Sequence, residues 1–186
     1  MIAIRRARPP DAPAIGAVHV AAWRSAYAGI LPDTYLAKLS IARQTAHYQH
    51  AIESGIGVTV VAVSGADLGP GGGTPRIVGF ATARPLPEPH PYAAGEIETL
   101  YVLDDWRERG FGRRLMRASA IWLAAAGSDS AFLWVLRDNP SRWFYQRLGG
   151  KPVAEQEIRV AGQAVVQTAY MWSPIDKLTL AARPGG

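Results

Sequence analysis

The sequence predicts a single α/β domain, one mixed sheet with helices packed against it. At 186 residues the chain is long enough to bury a full core and short for two. Alternating or β-branched runs interleave with stretches of helical spacing, in the order β-α-α-β-β-β-α-β-α-β-β. No linker parts two apolar halves, and no internal repeat is visible.

Ile2 to Arg6 alternates as a half-buried strand does, and Pro9-Pro10-Asp11 punctuates it. Ile15, Val18 and Ala22 then recur at helical spacing to about Tyr27, and Gly29 to Pro32 ends that helix. Asp33 opens the next helix, and Ser40 caps a third over Ile41–Ser54. Val58–Val63 and Ile77–Ala83 are paired strands across Ser64–Arg76, a Gly/Pro-rich stretch read as a flexible, tolerated insertion. Four prolines between 85 and 91 keep that segment irregular. A strand over Glu96–Leu103, a helix from Gly112 to about Ala126 and an apolar strand over Ala131–Leu136 follow. A short helix over Pro140–Leu148 stops at Gly149-Gly150. Val153–Val160 and Val165–Trp172 form a closing hairpin. Residues 1–175 are therefore the domain, and 176–186 a short C-terminal tail.

Composition removes several chemistries. With no cysteine there are no disulfides, no thiolate metal sites and no cysteine nucleophile. No run approaches the roughly 18 apolar residues of a membrane span, and Met1–Arg6 lacks the apolar core of a secretory signal. A soluble, cytoplasmic protein is expected. The net charge of +5 and pI near 9.8 favour acidic partners: nucleic acid, anionic membrane or a phosphorylated small molecule. Arginine supplies 17 of the 20 basic residues, and its planar fork suits phosphate. An Ala-, Gly- and Pro-rich composition produces the same bias, so clustering matters more than the total. Against nucleic acid, the chain lacks an aromatic ribonucleoprotein motif, zinc spacing and a helix-turn-helix signal.

The arginines cluster where chemistry is most concentrated, over Glu96 to Met116. A strand runs into a short loop, then Gly110 and Gly112, then an amphipathic helix. Such a turn leaves the first helical N–H groups unpaired, and with the helix dipole they form an anion site suited to phosphate. Glycines there allow close backbone approach. Arg107, Arg109 and Arg113 around the turn suit a ligand with more than one phosphate. A Walker loop needs four residues between its glycines and then Lys-Ser/Thr, which is absent. A dinucleotide fingerprint needs Gly or Ala where Leu115 stands.

These residues resemble the GCN5-related N-acetyltransferases. Arg107-Glu108-Arg109-Gly110-Phe111-Gly112 matches that family's acetyl-coenzyme A loop, Arg/Gln-x-x-Gly-x-Gly/Ala. Leu100-Tyr101-Val102 is similar to its splayed strand, and Leu133 to Asn139 with Phe144-Tyr145 resemble its second motif. Ala22-Trp23-Arg24, Tyr27 and Gly29 to Pro32 are also common in bacterial members. The resemblance covers nearly the whole chain, in order.

It implies a mixed, mostly antiparallel sheet flanked by helices, and an acyltransferase using acetyl-coenzyme A as co-substrate with no metal. Backbone N–H groups from about Glu108 to Arg113 would hold the pyrophosphate. Leu100, Tyr101 and Val102 would pair with the pantetheine arm, and amides near Tyr101 and Val102 would meet the oxyanion. Asn139 would bind a pantetheine amide. Tyr145 would protonate the leaving thiolate, and Glu96, or Glu98 on the same strand face, would serve as base, directly or through a water. Two departures stand out: Tyr145 follows Asn139 by six residues rather than the usual seven, and Gly150 replaces the usual Phe.

Each candidate has a plainer reading. Glu96 and Glu98 could be a solvated strand face, and Tyr145 a packed core tyrosine. Trp23, Tyr27 and Tyr35, at helical spacing, read as core. Trp106, Trp122 and Trp143 read as packing. His47 and His50 lack a third metal ligand, and His19 and His90 carry no assigned role. The expected acceptor is a small-molecule or peptide amine, and a homodimer is compatible with the resemblance. The competing class is a coenzyme A-binding regulator without turnover.

Overall fold

The computed structural model describes residues 2–65, 75–87 and 90–183. Residues 66–74 of the expected insertion, and 88–89 of the proline-rich segment, lie outside them. The strands are β1 (Ile2–Arg6), β2 (Val58–Ser64), β3 (Arg76–Pro85), β4 (Gly95–Val102), β5 (Ala131–Leu136), β6 (Lys151–Val160) and β7 (Gln163–Trp172). The helices are α1 (Ala12–Ala26), α2 (Asp33–Ala37), α3 (Ile41–Ser54), α4 (Phe111–Ala125), α5 (Arg142–Arg147) and α6 (Asp176–Ala181). All strands join one sheet in the order β1-β2-β3-β4-β5-β7-β6. Among the described residues only β4 and β5 are parallel, so the expected mixed, mostly antiparallel sheet is what the chain forms.

Helices cover both faces. α4 lays Leu115, Met116, Ala120 and Leu123 on one face, against Val60, Ala62, Ala81, Ile97 and Leu133. α1 and α3 cover the other, packing Ile15, Val18 and Tyr48 on Val61, Val63 and Phe80. β2 lies between them and is buried along its whole length, as its β-branched run requires. Each such side chain contributes about 1.5–3 kcal/mol of burial. Ser40 caps α3 as expected, its Oγ accepting from Arg43 N at 3.3 Å.

Asp176–Ala181 form α6, whose Leu178, with the C-cap Ala182, enters the α4 core. Gly150 stands where a Cβ would meet Trp172 Cζ2 at 2.7 Å, and the Trp172 indole N–H donates to Leu148 O at 2.8 Å. The tryptophan occupies the space that a side chain at 150 would need, which accounts for the second glycine.

Two irregularities in the centre position the site. β4 and β5 share only Gly95↔Ala131 and Glu96↔Phe132, whereas β5 stays paired with β7 through Leu136. Beyond Glu96 the sheet therefore splits into a wedge. In β4, Thr82 faces Thr99 and Ala83 faces Ile97, which leaves Glu98 as an extra residue. That bulge bends the strand and shifts its alternation by one. Ile97, Leu100 and Val102 consequently all face α4, while Tyr101 faces α1 and α3.

Candidate active site

The wedge opens into a cavity of about 690 Å³. Its walls are the parting strands, from Ile97 to Val102 and from Leu133 to Leu136. The backbone of β4 supplies polarity. Leu103 donates its amide to Val78 O at 2.9 Å, and antiparallel pairs alternate from there. Tyr101 is thus committed to Phe80, and Leu100 and Val102, opposite Ala81 and Gly79, turn N–H and C=O into the wedge. Of the two amides expected to meet an oxyanion, that of Val102 is on the open side and that of Tyr101 is not.

At one end of the cavity stands the start of α4. Gly110 is the N-cap, with φ 80°, and no side chain caps the helix. Its first intrahelical bond runs from Arg114 N to Gly110 O. The amides of Phe111, Gly112 and Arg113 are left free by helix geometry. A Cβ at Gly110 would meet nothing within 4 Å, so the left-handed φ, rather than crowding, is what calls for glycine. Glu108, at φ 59°, adds a second left-handed residue to the loop.

The three arginines are differently placed. Arg107 pairs with Asp104 at 2.8 Å and lines the cavity, as does Arg113. Arg113 also donates to Ala181 O at 3.0 Å, tying α6 to the loop. Arg109 stacks over Trp106, 5.1 Å from its ring centroid, and is not a lining residue. Phe111 is buried at 2% exposure, so it has only its amide to offer. Arg147 of α5, not singled out in the sequence, lines the cavity with them.

Tyr145 lines the middle of the cavity. Burial, with a smaller contribution from Tyr27, pushes its hydroxyl pKa up, so it is protonated at neutral pH. Asn139 lines the same wall, and its Oδ1 accepts from Ser141 N at 2.9 Å. Burial also raises the Tyr27 hydroxyl, opposed by hydrogen bonds to the Asn139 and Tyr101 side chains. Asn139 is therefore partly spent on starting α5 and on Tyr27.

The two glutamates separate. Arg84 bridges them, with Nη2 to Glu96 Oε2 at 3.0 Å and Nε to Glu98 Oε1 at 2.8 Å. Glu98, half exposed, lines the cavity. Glu96 does not. Burial raises the Glu96 carboxyl, Arg84 pulls it back, and Glu98 raises it again. Shared side on the strand survives as expected, but only one of the pair reaches the cavity.

Trp23 and Tyr27 also line it, so these helical aromatics are wall as well as core, while Tyr35 is packing alone. His19 donates or accepts at Tyr48 Oη, 2.8 Å away, and stacks on Trp23 at 5.3 Å. Burial, then His47, lowers its pKa to about 4. Leu31, Ile158, Val160 and Gln167 complete the far wall. They come from three distant segments, and only Leu31 lies in a stretch the sequence singles out. Among the described residues no group of three or more metal-ligating side chains occurs, and no helix is long and apolar enough to cross a membrane.

Comparison with known proteins agrees with this fold. A family model described as acetyltransferase (GNAT) family matches residues 25–150. The uncharacterized N-acetyltransferase YuaI of Bacillus subtilis (strain 168) is 29% identical over 178 residues, 96% of each chain. PaiA N-acetyltransferase from Thermoplasma acidophilum, solved in complex with coenzyme A, has the same fold. Its TM-score is 0.69 at 18% identity, over 90% of this chain and 98% of that one. YncA from Salmonella typhimurium, solved with its cofactor acetyl-CoA, gives a TM-score of 0.66 at 17% identity, over 93% and 94%.

Proposed function

The chain belongs to the acetyltransferase (GNAT) family of N-acetyltransferases, and from that premise we propose that it moves the acetyl group of acetyl-coenzyme A to a primary amine by direct attack on the thioester. One observation carries the reading: an uncapped helix start, two open strand amides and a protonated tyrosine share a single cavity. Free amides at the start of α4 fit a pyrophosphate, and the wedge between β4 and β5 fits a narrow arm that hydrogen-bonds to backbone. Arg107 and Arg113 add positive charge at that end.

The co-substrate supplies the activated acetyl group. Leu100 and Val102 hold its arm, and the Val102 amide faces the charge that develops on the thioester oxygen. Glu98 takes the ammonium proton of the acceptor, directly or through a water, because an alkylammonium near pKa 10 cannot attack. The nitrogen then bonds to the acetyl carbon and sheds its second proton to water as the carbon–sulfur bond breaks, leaving a neutral amide. Tyr145 gives its proton to the sulfur and regains one from solvent. The apolar surroundings that raise the tyrosine raise a thiolate as well, so burial does not by itself widen the gap between donor and acceptor. Glu96 supports Glu98 through Arg84 rather than acting on the amine.

Titration calorimetry with acetyl-coenzyme A tests this first. Saturable binding that Gly110→Val and Gly112→Val each weaken is the expected result, followed by acetyl transfer in an amine screen. No binding to the folded protein would reject the reading, and binding without any turnover would leave a regulator in its place.

A further inference from the structure

We infer that the acceptor is a small molecule with a single amine on an aromatic or branched apolar body, an inference that rests on the acetyltransferase reading above. Charge is the first ground. Away from the α4 loop, Glu98 is the one carboxylate among the described residues that line the cavity, and Arg84 already pairs with it. A polyamine or an aminoglycoside brings several ammonium groups, and each must be offset as it leaves water. The chamber offers a partner for one.

The wall is the second ground. Trp23 is held from two sides, stacked on His19 at 5.3 Å and edge-on to Tyr27 at 4.8 Å. His19 itself is fixed by Tyr48 at 2.8 Å. The indole and the Tyr27 ring therefore present a rigid face, with Leu31, Leu136 and Val160 beside it. Such a face favours a flat or branched apolar body.

The roof is the third. Gln163, at the β6–β7 turn, donates Nε2 to Ile30 O at 3.0 Å, and Val160 and Val165 pack against Leu31 and Leu36. The hairpin thus rests on the α1–α2 connection and closes the chamber on that side. This contact narrows the room for a polypeptide acceptor on that side, whereas a small body fits beneath it.

The test is steady-state transfer from acetyl-coenzyme A to 2-phenylethylamine, spermidine, kanamycin and an alanine-terminated tetrapeptide, with calorimetric acetyl-coenzyme A binding on the same preparation. The expected kcat/KM for 2-phenylethylamine is at least about tenfold above each of the others. Trp23→Leu should raise the KM for 2-phenylethylamine about tenfold while acetyl-coenzyme A still binds, and Trp23→Phe should recover most of the loss. A better rate with spermidine, kanamycin or the peptide overturns the acceptor class alone. So does a failure of transfer to 2-phenylethylamine by protein that binds acetyl-coenzyme A. Absence of that binding overturns the acetyltransferase reading together with it.

Discussion

The two ends of the cavity are built from different materials. At the α4 end the frame is main-chain amides, set by a left-handed Gly110 and an uncapped helix, with arginine side chains beside them. At the Trp23 end the frame is side chains from α1, the α1–α2 connection, β5, β6 and β7. The backbone end lies in one contiguous stretch, whereas the side-chain end exists only after folding. A site that recognises something common to many enzymes can be fixed by local geometry, and one that discriminates among acceptors draws on residues free to vary.

The difference can be broken or sharpened by substitution. Tyr145 sits between the ends, and Tyr145→Phe should lower kcat by about 10²–10⁴ with acetyl-coenzyme A affinity nearly unchanged. An unaltered turnover number would remove it from the chemistry. Glu98→Gln should cost roughly 10² in kcat/KM. Glu96→Gln should change rates only a few-fold, and equal losses in the two variants would contradict the division of roles. Gly110→Val forces a β-branched residue into the left-handed region, at about 1–3 kcal/mol. Its expected effect is a roughly 5- to 150-fold weaker acetyl-coenzyme A dissociation constant, with the amine KM untouched in saturating co-substrate.

The smallest effect concerns stability. His19 is buried neutral, with its pKa lowered to about 4 from the usual 6.5. Between those values the unfolded chain binds the extra proton, so stability falls as pH drops through about 6.5 and levels off near 4. Thermal melts across that window should show the slope, and His19→Gln should flatten it.

Much of this was legible in the sequence. The β-branched run of β2 and the Gly110–Gly112 turn predicted their places because each is a local property. Glu96 and Glu98 were indistinguishable, since a strand bulge has no composition of its own and a three-residue ion pair depends on Arg84 from the neighbouring strand. Arg109 and Arg113 looked equivalent beside the glycines. Their fates were decided by Trp106 on one side and by α6, not foreseen as a helix, on the other. Ile158, Val160 and Gln167 were invisible for a similar reason: each is ordinary until the hairpin folds over.

The parting of β4 and β5 also bears on self-association. Leu100 and Val102 belong to a strand near the middle of the sheet, yet their outward N–H and C=O groups are those of an edge. Exposed edges recruit strands from other molecules and seed aggregation. Here the edge faces inward, beneath a hairpin that rests on the α1–α2 connection, where another protein's sheet cannot dock. The chain can thus keep unpaired strand backbone in water for its ligand without offering it to its own copies. Substitutions that lift the hairpin, such as Gln163→Pro, should surrender that protection and raise the protein's tendency to aggregate.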